Sequence, residues 1–167
     1  MRMSNGARWA PAYDDRHRHC TPPEVLEPVR AAMGGVFGLD PASMEDNPTD
    51  ALVWCYLPAV DGLSVRWTDH DAIWCNPPYG AAMRPFVTRA IEAGQAGRKV
   101  ALLIPADTDT ALSQAVLRGA DAVLFINGRV RFAGLRKNGQ YATAGHPSML
   151  AAWGWDPAVL DLGVTLR

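Results

Sequence analysis

Apolar residues recur at helical spacing over 23–33, where Val25, Leu26, Val29 and Met33 share one face. Thr21-Pro22-Pro23-Glu24 opens this segment. Thr21 suits a cap, Pro22 the first helical position, and Glu24 completes a capping box. Gly34-Gly35 ends it, and Pro28 inside it predicts a kink or an early break. Residues 36–40 then read as a short strand ending in a carboxylate, and residues 51–57 as a strand or one buried turn. A buried strand over 71–75 is closed by Asn76-Pro77-Pro78-Tyr79. A helix follows over 84–96, with Phe86, Val87, Ala90 and Ile91 inward and Gly97 beyond its end.

Residues 99–104 form the cleanest strand pattern, stopped by Pro105. Asp107 is placed to cap a helix running to Arg118, with Gly119 as terminator. The runs 123–126 and 129–133 flank Asn127-Gly128, which predicts a two-residue hairpin. Residues 134–147 read as a polar loop and 149–153 as a last strand. Strands alternating with helices predict an α/β domain whose mostly parallel sheet is covered on both faces, with a hairpin near the C-terminus. The expected limits are an irregular arm over 1–20, one domain over 21–155 and a tail over 156–167.

Composition narrows this picture only a little. At 167 residues with 49% hydrophobic and 20% charged residues, the chain is that of one ordinary globular domain. Sixteen basic against 17 acidic residues leave a net charge of −1, so a nucleic-acid partner must be met by a local patch. Cys20, Cys55 and Cys75 are odd in number and far apart, which speaks for reduced thiols in a cytoplasmic protein. No apolar run is long enough for a membrane span, and residues 1–8 lack the apolar core of a signal peptide. His17-Arg18-His19-Cys20 lacks a second ligand pair at zinc-like spacing, so it reads as a basic arm and no metal is expected.

The candidate chemistry centres on Asn76-Pro77-Pro78-Tyr79 at the carboxyl end of a strand, the edge where open α/β sheets bind ligands. This tetrapeptide suits methylation of an exocyclic amine. Such a nitrogen is a poor nucleophile because its lone pair is delocalised into the ring. Its two N–H groups can donate to the Asn76 side-chain oxygen and to the Pro77 carbonyl. Two acceptors held by rigid prolines pull the lone pair out of conjugation and aim it at a methyl donor. Tyr79 offers a flat face to the base, and such stacking is worth about 1–3 kcal/mol.

With these residues the chain resembles the small phage-type, Dam-like DNA adenine-N6 methyltransferases that use S-adenosylmethionine. The resemblance rests on four segments in order, over about residues 21–153. His19-Cys20-Thr21-Pro22-Pro23-Glu24 is similar to the segment whose threonine contacts the methionine part of the cofactor. Phe37-Gly38-Leu39-Asp40-Pro41-Ala42 is similar to the acidic-Pro-Ala segment that lines the cofactor pocket. Asp61-Gly62-Leu63, with Trp67 beyond, is similar to the segment whose aspartate accepts from the cofactor's adenine amine. Asn76-Pro77-Pro78-Tyr79 is the fourth.

The resemblance implies a Rossmann-like methyltransferase fold. It implies catalytic roles for Asn76, Pro77 and Tyr79, and cofactor contacts from Thr21, Asp40, Pro41, Ala42 and Asp61. Asp40-Pro41-Ala42 stands where many such enzymes carry a Gly-x-Gly loop. Glu45, Asp46 and Asp50 all remain open as the acid for the ribose hydroxyls.

Arg129, Arg131, Arg136 and Lys137 place four positive charges within nine residues, and Arg8, Arg16 and Arg18 add charge near the N-terminus. They are expected to touch DNA phosphates, which position a duplex without reading it. Phe132 alternates with Val130, so core packing is its default, and stacking on a flipped base is its functional alternative. The rival readings are an RNA adenine or protein glutamine substrate, or an inactive binding module of the same fold. Oligomeric state and recognition sequence are not legible.

Overall fold

A computed structural model of the chain describes residues 20–132 and 142–167. In chain order the elements are helix α1 (Pro23–Ala32), strands β1 (Leu39–Asp40), β2 (Val53–Trp54) and β3 (Ile73–Cys75), and helix α2 (Met83–Gln95). Strand β4 (Val100–Pro105) and helix α3 (Ala111–Gly119) follow. Strands β5 (Ala122–Ile126), β6 (Arg131–Phe132), β7 (Ala142–Thr143), β8 (Ser148–Trp153) and β9 (Gly163–Leu166) complete the order. Most of the expected arm, residues 1–19, lies outside the described residues.

Seven strands form one sheet in the order β2-β1-β3-β4-β8-β5-β9, and β6 and β7 form a separate pair. The pairs β1–β2, β1–β3 and β3–β4 are parallel. The pairs β4–β8, β5–β8, β5–β9 and β6–β7 are antiparallel. The sheet is therefore mixed, not mostly parallel as the alternation of elements suggests. A parallel neighbour needs a long crossover, usually a helix. No helix lies between β5 and β8 among the described residues, and β8 enters against the direction of both neighbours. Because β8 opposes both β4 and β5, strands β1 to β5 all point the same way. Their carboxyl ends share one edge.

Alternation along the strands builds two cores. Ile73, Cys75, Val100, Leu102, Ile104, Met149, Ala151 and Trp153 pack with Phe86, Val87, Ala90 and Ala93 of α2 and Val116 of α3. Trp74, Ala101, Leu103, Leu124 and Leu150 face the other way and pack with Val25, Leu26 and Val29 of α1. Helices thus cover both faces, as expected, and each large side chain so buried contributes about 1.5–3 kcal/mol.

Several local expectations shift. Pro22, not Thr21, is the N-cap of α1, Pro23 is its first residue, and no side chain caps it. The Thr21–Glu24 capping box does not form, which frees the Thr21 hydroxyl for another partner. The helix runs unbroken through Pro28. The missing N–H costs only the bond to the Glu24 carbonyl, on an exposed residue that water can serve. The strand expected over 36–40 shortens to its last two residues. Helix α3 is capped by Thr110, whose hydroxyl accepts from Ser113 N at 3.1 Å, and not by Asp107.

The Asn127-Gly128 hairpin does not form either. Both edges of β5 are taken by β8 and β9, and Asn127 N continues toward β9 by donating to Leu162 O at 2.8 Å. β6 pairs instead with β7, inside the stretch expected as loop. Residues 156–167, expected as a tail, carry a 3-10 turn (Pro157–Val159) and the edge strand β9.

Candidate active site

The carboxyl edge gathers three of the four sequence segments around one hollow. Asp40 ends β1, Asn76 follows β3, and Thr21 precedes α1. All three line one hollow shared with Cys20, Ala42 and Thr49. Asn76 Nδ2 donates to Thr21 Oγ1 at 3.3 Å, joining residues 55 apart in sequence. This contact is what the uncapped start of α1 makes available.

Asp40 is buried, with 2% of its surface exposed. Its Oδ1 accepts from Ala42 N at 3.1 Å and its Oδ2 from Thr49 Oγ1 at 2.7 Å. Burial pushes its carboxyl up to about 6, against the opposing pull of those hydrogen bonds. No lysine, arginine or histidine among the described residues forms an ion pair with it. Thr49 is the partner that sequence reasoning missed. Nothing in its spacing, nine residues beyond Asp40, marks it.

The third of the four segments lies against the second. A β-carbon on Gly62 would collide with the Pro41 carbonyl, so only glycine allows the two loops to touch. Trp67, buried in the core, donates from Nε1 to Gly62 O at 2.9 Å and pins the loop from behind. Asp61 folds back on its own turn, its Oδ1 accepting from Leu63 N at 2.9 Å. Burial raises the Cys55 thiol to about 11, and the nearby charges of Asp40 and Asp61 push it in the same direction, which ties both carboxylates to one neighbourhood. Burial also raises Cys20 and Cys75, so all three thiols stay protonated at neutral pH.

Pro77 and Pro78 are buried, and Tyr79 is half-buried. The Tyr79 ring meets Phe132 edge-on, with centroids 6.3 Å apart and planes at 81°. Its hydroxyl is buried without a hydrogen-bond partner among the described residues, and burial raises its pKa. Phe132 is 2% exposed and belongs to the core beneath Tyr79, the first of its two expected roles. Arg129 and Arg131 are exposed, and Arg129 donates to Gly145 O at 3.2 Å. Arg136, Lys137, Arg8, Arg16 and Arg18 lie outside the described residues.

Among the three acids open for a ribose, Glu45, Asp46 and Asp50 are all exposed, and Asp50 faces Arg30 at 3.8 Å. Among the described residues, no group of three or more histidine, cysteine or acidic side chains could hold a metal. No helix there is long and apolar enough to cross a membrane.

A buried acid at the end of β1 and the Asn-Pro-Pro-Tyr turn after β3 thus meet at one edge of the mixed α/β sheet. The profile of the DNA N-6-adenine-methyltransferase (Dam) family matches residues 11–156, and the chain belongs to that family. A DNA N-6-adenine-methyltransferase of Escherichia phage T1 is 31% identical over 108 residues, covering 64% of this chain and 43% of the relative. The chain thus matches less than half the length of that relative.

Proposed function

We propose that the chain transfers a methyl group from S-adenosylmethionine to the exocyclic N6 of an adenine in DNA. The observation that carries this reading is Asp40, a buried carboxylate with no ion-pair partner among the described residues, lining the same hollow as Asn76. A carboxylate whose ionised form is disfavoured by burial suits a cationic ligand, and its two accepted hydrogen bonds leave lone pairs to spare. That donor set fits a sulfonium cofactor.

When bound, the cofactor supplies an activated methyl group. Asp40, with the backbone of Pro41 and Ala42, would hold its cationic end, and Asp61 would accept from its adenine amine. Thr21 grips the Asn76 amide by its nitrogen end and so sets the direction of Oδ1. Asn76 Oδ1 and the Pro77 carbonyl accept the two N–H groups of the target amine. The lone pair would leave conjugation and bond to the methyl carbon as the carbon–sulfur bond breaks, its electron pair staying on sulfur, and the extra N6 proton would pass to water. Orientation and charge complementarity do this without a strongly shifted base. Tyr79 supports the ring of the target. Because an adenine inside a duplex cannot reach Asn76, it is flipped out at a cost of a few kcal/mol. Exposed Arg129 and Arg131 contact phosphates, which position the duplex.

Labelled S-adenosylmethionine offered with separate pools of DNA, RNA and protein tests this reading. Label is expected in DNA, on adenine N6, and the Asn76→Ala variant is expected to lose roughly 100–1,000-fold in rate, as for other removed preorganised groups. Label in RNA or protein alone, or an Asn76→Ala variant as fast as the parent, overturns it.

A further inference from the structure

A second, broader groove of about 890 Å³ opens at the same carboxyl edge, between the start of α1, the β5–β6 connection and the segment entering β9. It shares no lining residue with the hollow at Asn76. Half-buried Ile126 and Leu162 give it an apolar floor. Its walls carry both signs of charge: exposed Arg129 and Arg131 on one segment, exposed Glu24 and Asp161 on two others. It adjoins the candidate active site at two points. Pro22 lines the groove while Thr21, the residue before it, touches Asn76. Arg131 lines the groove while Phe132, the residue after it, packs against Tyr79.

A groove for phosphate alone gains nothing from Glu24 and Asp161, since carboxylates repel an anion. A groove for hydrocarbon gains nothing from four charges. An apolar floor, acceptor-only carboxylates and guanidinium groups together match a nucleotide: a flat ring, an edge bearing an amino group, and a phosphate. We propose that this groove holds the nucleotide beside the target adenine, with Glu24 and Asp161 reading the amino group on its base edge and Arg129 and Arg131 on its backbone. This rests on the reading of the chain as a DNA adenine methyltransferase. It makes the groove a determinant of sequence preference. Cytosine and adenine present amino donors in the major groove, and thymine presents only an acceptor and a methyl group. An adenine or cytosine neighbour is therefore favoured over thymine at one flanking position.

The test is methylation of duplex DNA carrying adenines with randomised neighbours, the product sequenced for modified adenines, with the parent chain and with Glu24→Gln and Asp161→Asn. Both acids are exposed, so neither change threatens the fold. An amide can donate as well as accept, so at least one variant is expected to lose about tenfold of the parent's preference against thymine at that one position. A parent with no flanking preference, or variants whose flanking profile matches the parent's, overturns the groove assignment and leaves adenine methylation standing. A parent that methylates adenine in no sequence overturns the underlying reading, and the groove assignment with it.

Discussion

Replacing Asp40 with asparagine separates what the site costs from what it is for. In the folded chain this carboxyl is pushed up to about 6 from its ordinary 3.8, because burial outweighs the hydrogen bonds from Thr49 and Ala42. Each unit of such a shift corresponds to about 1.4 kcal/mol, so the ionised form costs the fold about 3 kcal/mol. The sign follows from the raised value. Protonated Asp40 is the form the fold prefers, so its contribution is fully present below about pH 3.8 and is lost as pH rises through about 6.

Asparagine does not titrate. Its oxygen can still accept from Ala42 N, and its amide nitrogen can donate to the Thr49 hydroxyl. Urea unfolding of parent and Asp40→Asn is therefore expected to diverge with pH, the variant gaining up to about 3 kcal/mol on the parent between pH 4 and pH 8. Calorimetry with S-adenosylmethionine at pH 8 is expected to show the opposite ranking, with the more stable variant binding more weakly. A stability difference that is flat across this pH range refutes the burial argument, and equal cofactor affinity refutes the cation-holding role.

Other consequences are equally direct. Gly62→Ala forces a β-carbon against the Pro41 carbonyl and should cost about 1–3 kcal/mol in urea unfolding, so an unchanged midpoint would contradict the contact between the Asp40-Pro41 and Asp61-Gly62 loops. Thr21→Val removes the acceptor that holds Asn76 and should lower kcat about tenfold with KM for DNA little changed, while Thr21→Ser restores the rate; equal losses in both variants would mean that the hydroxyl is not what matters. Arg129→Ala combined with Arg131→Ala should reduce the slope of log affinity against log salt by about 2, one phosphate apiece, and an unchanged slope removes both from the DNA interface.

Much of the local structure can be read along the chain because its causes are local. The spacing of Phe86, Val87 and Ala90 is enough to place α2, and the run before Pro105 is enough to place β4. Asn-Pro-Pro-Tyr behind an apolar strand marks the candidate chemistry for the same reason: prolines end the strand, and the strand end is where ligands sit. Asp61-Gly62-Leu63 is only a common turn when read alone, and its weight came from the order of the segments. The collision that any β-carbon at Gly62 would meet exists only once Pro41 is folded against it.

By itself, then, the sequence determined where the three helices and strands β3, β4, β5 and β8 form and which faces they bury, and it marked Asn76-Pro77-Pro78-Tyr79 as candidate chemistry, since periodicity and turn residues act within a few positions. The tertiary structure decided how those pieces compete. β5 turned from the Asn127-Gly128 hairpin to β8 and β9 because longer strands filled both its edges. Thr21 went to Asn76 instead of its own helix because the cap moved to Pro22. Asp40 gained its raised pKa from burial. Each of these outcomes depends on partners remote in the chain, and no local pattern encodes which partner wins.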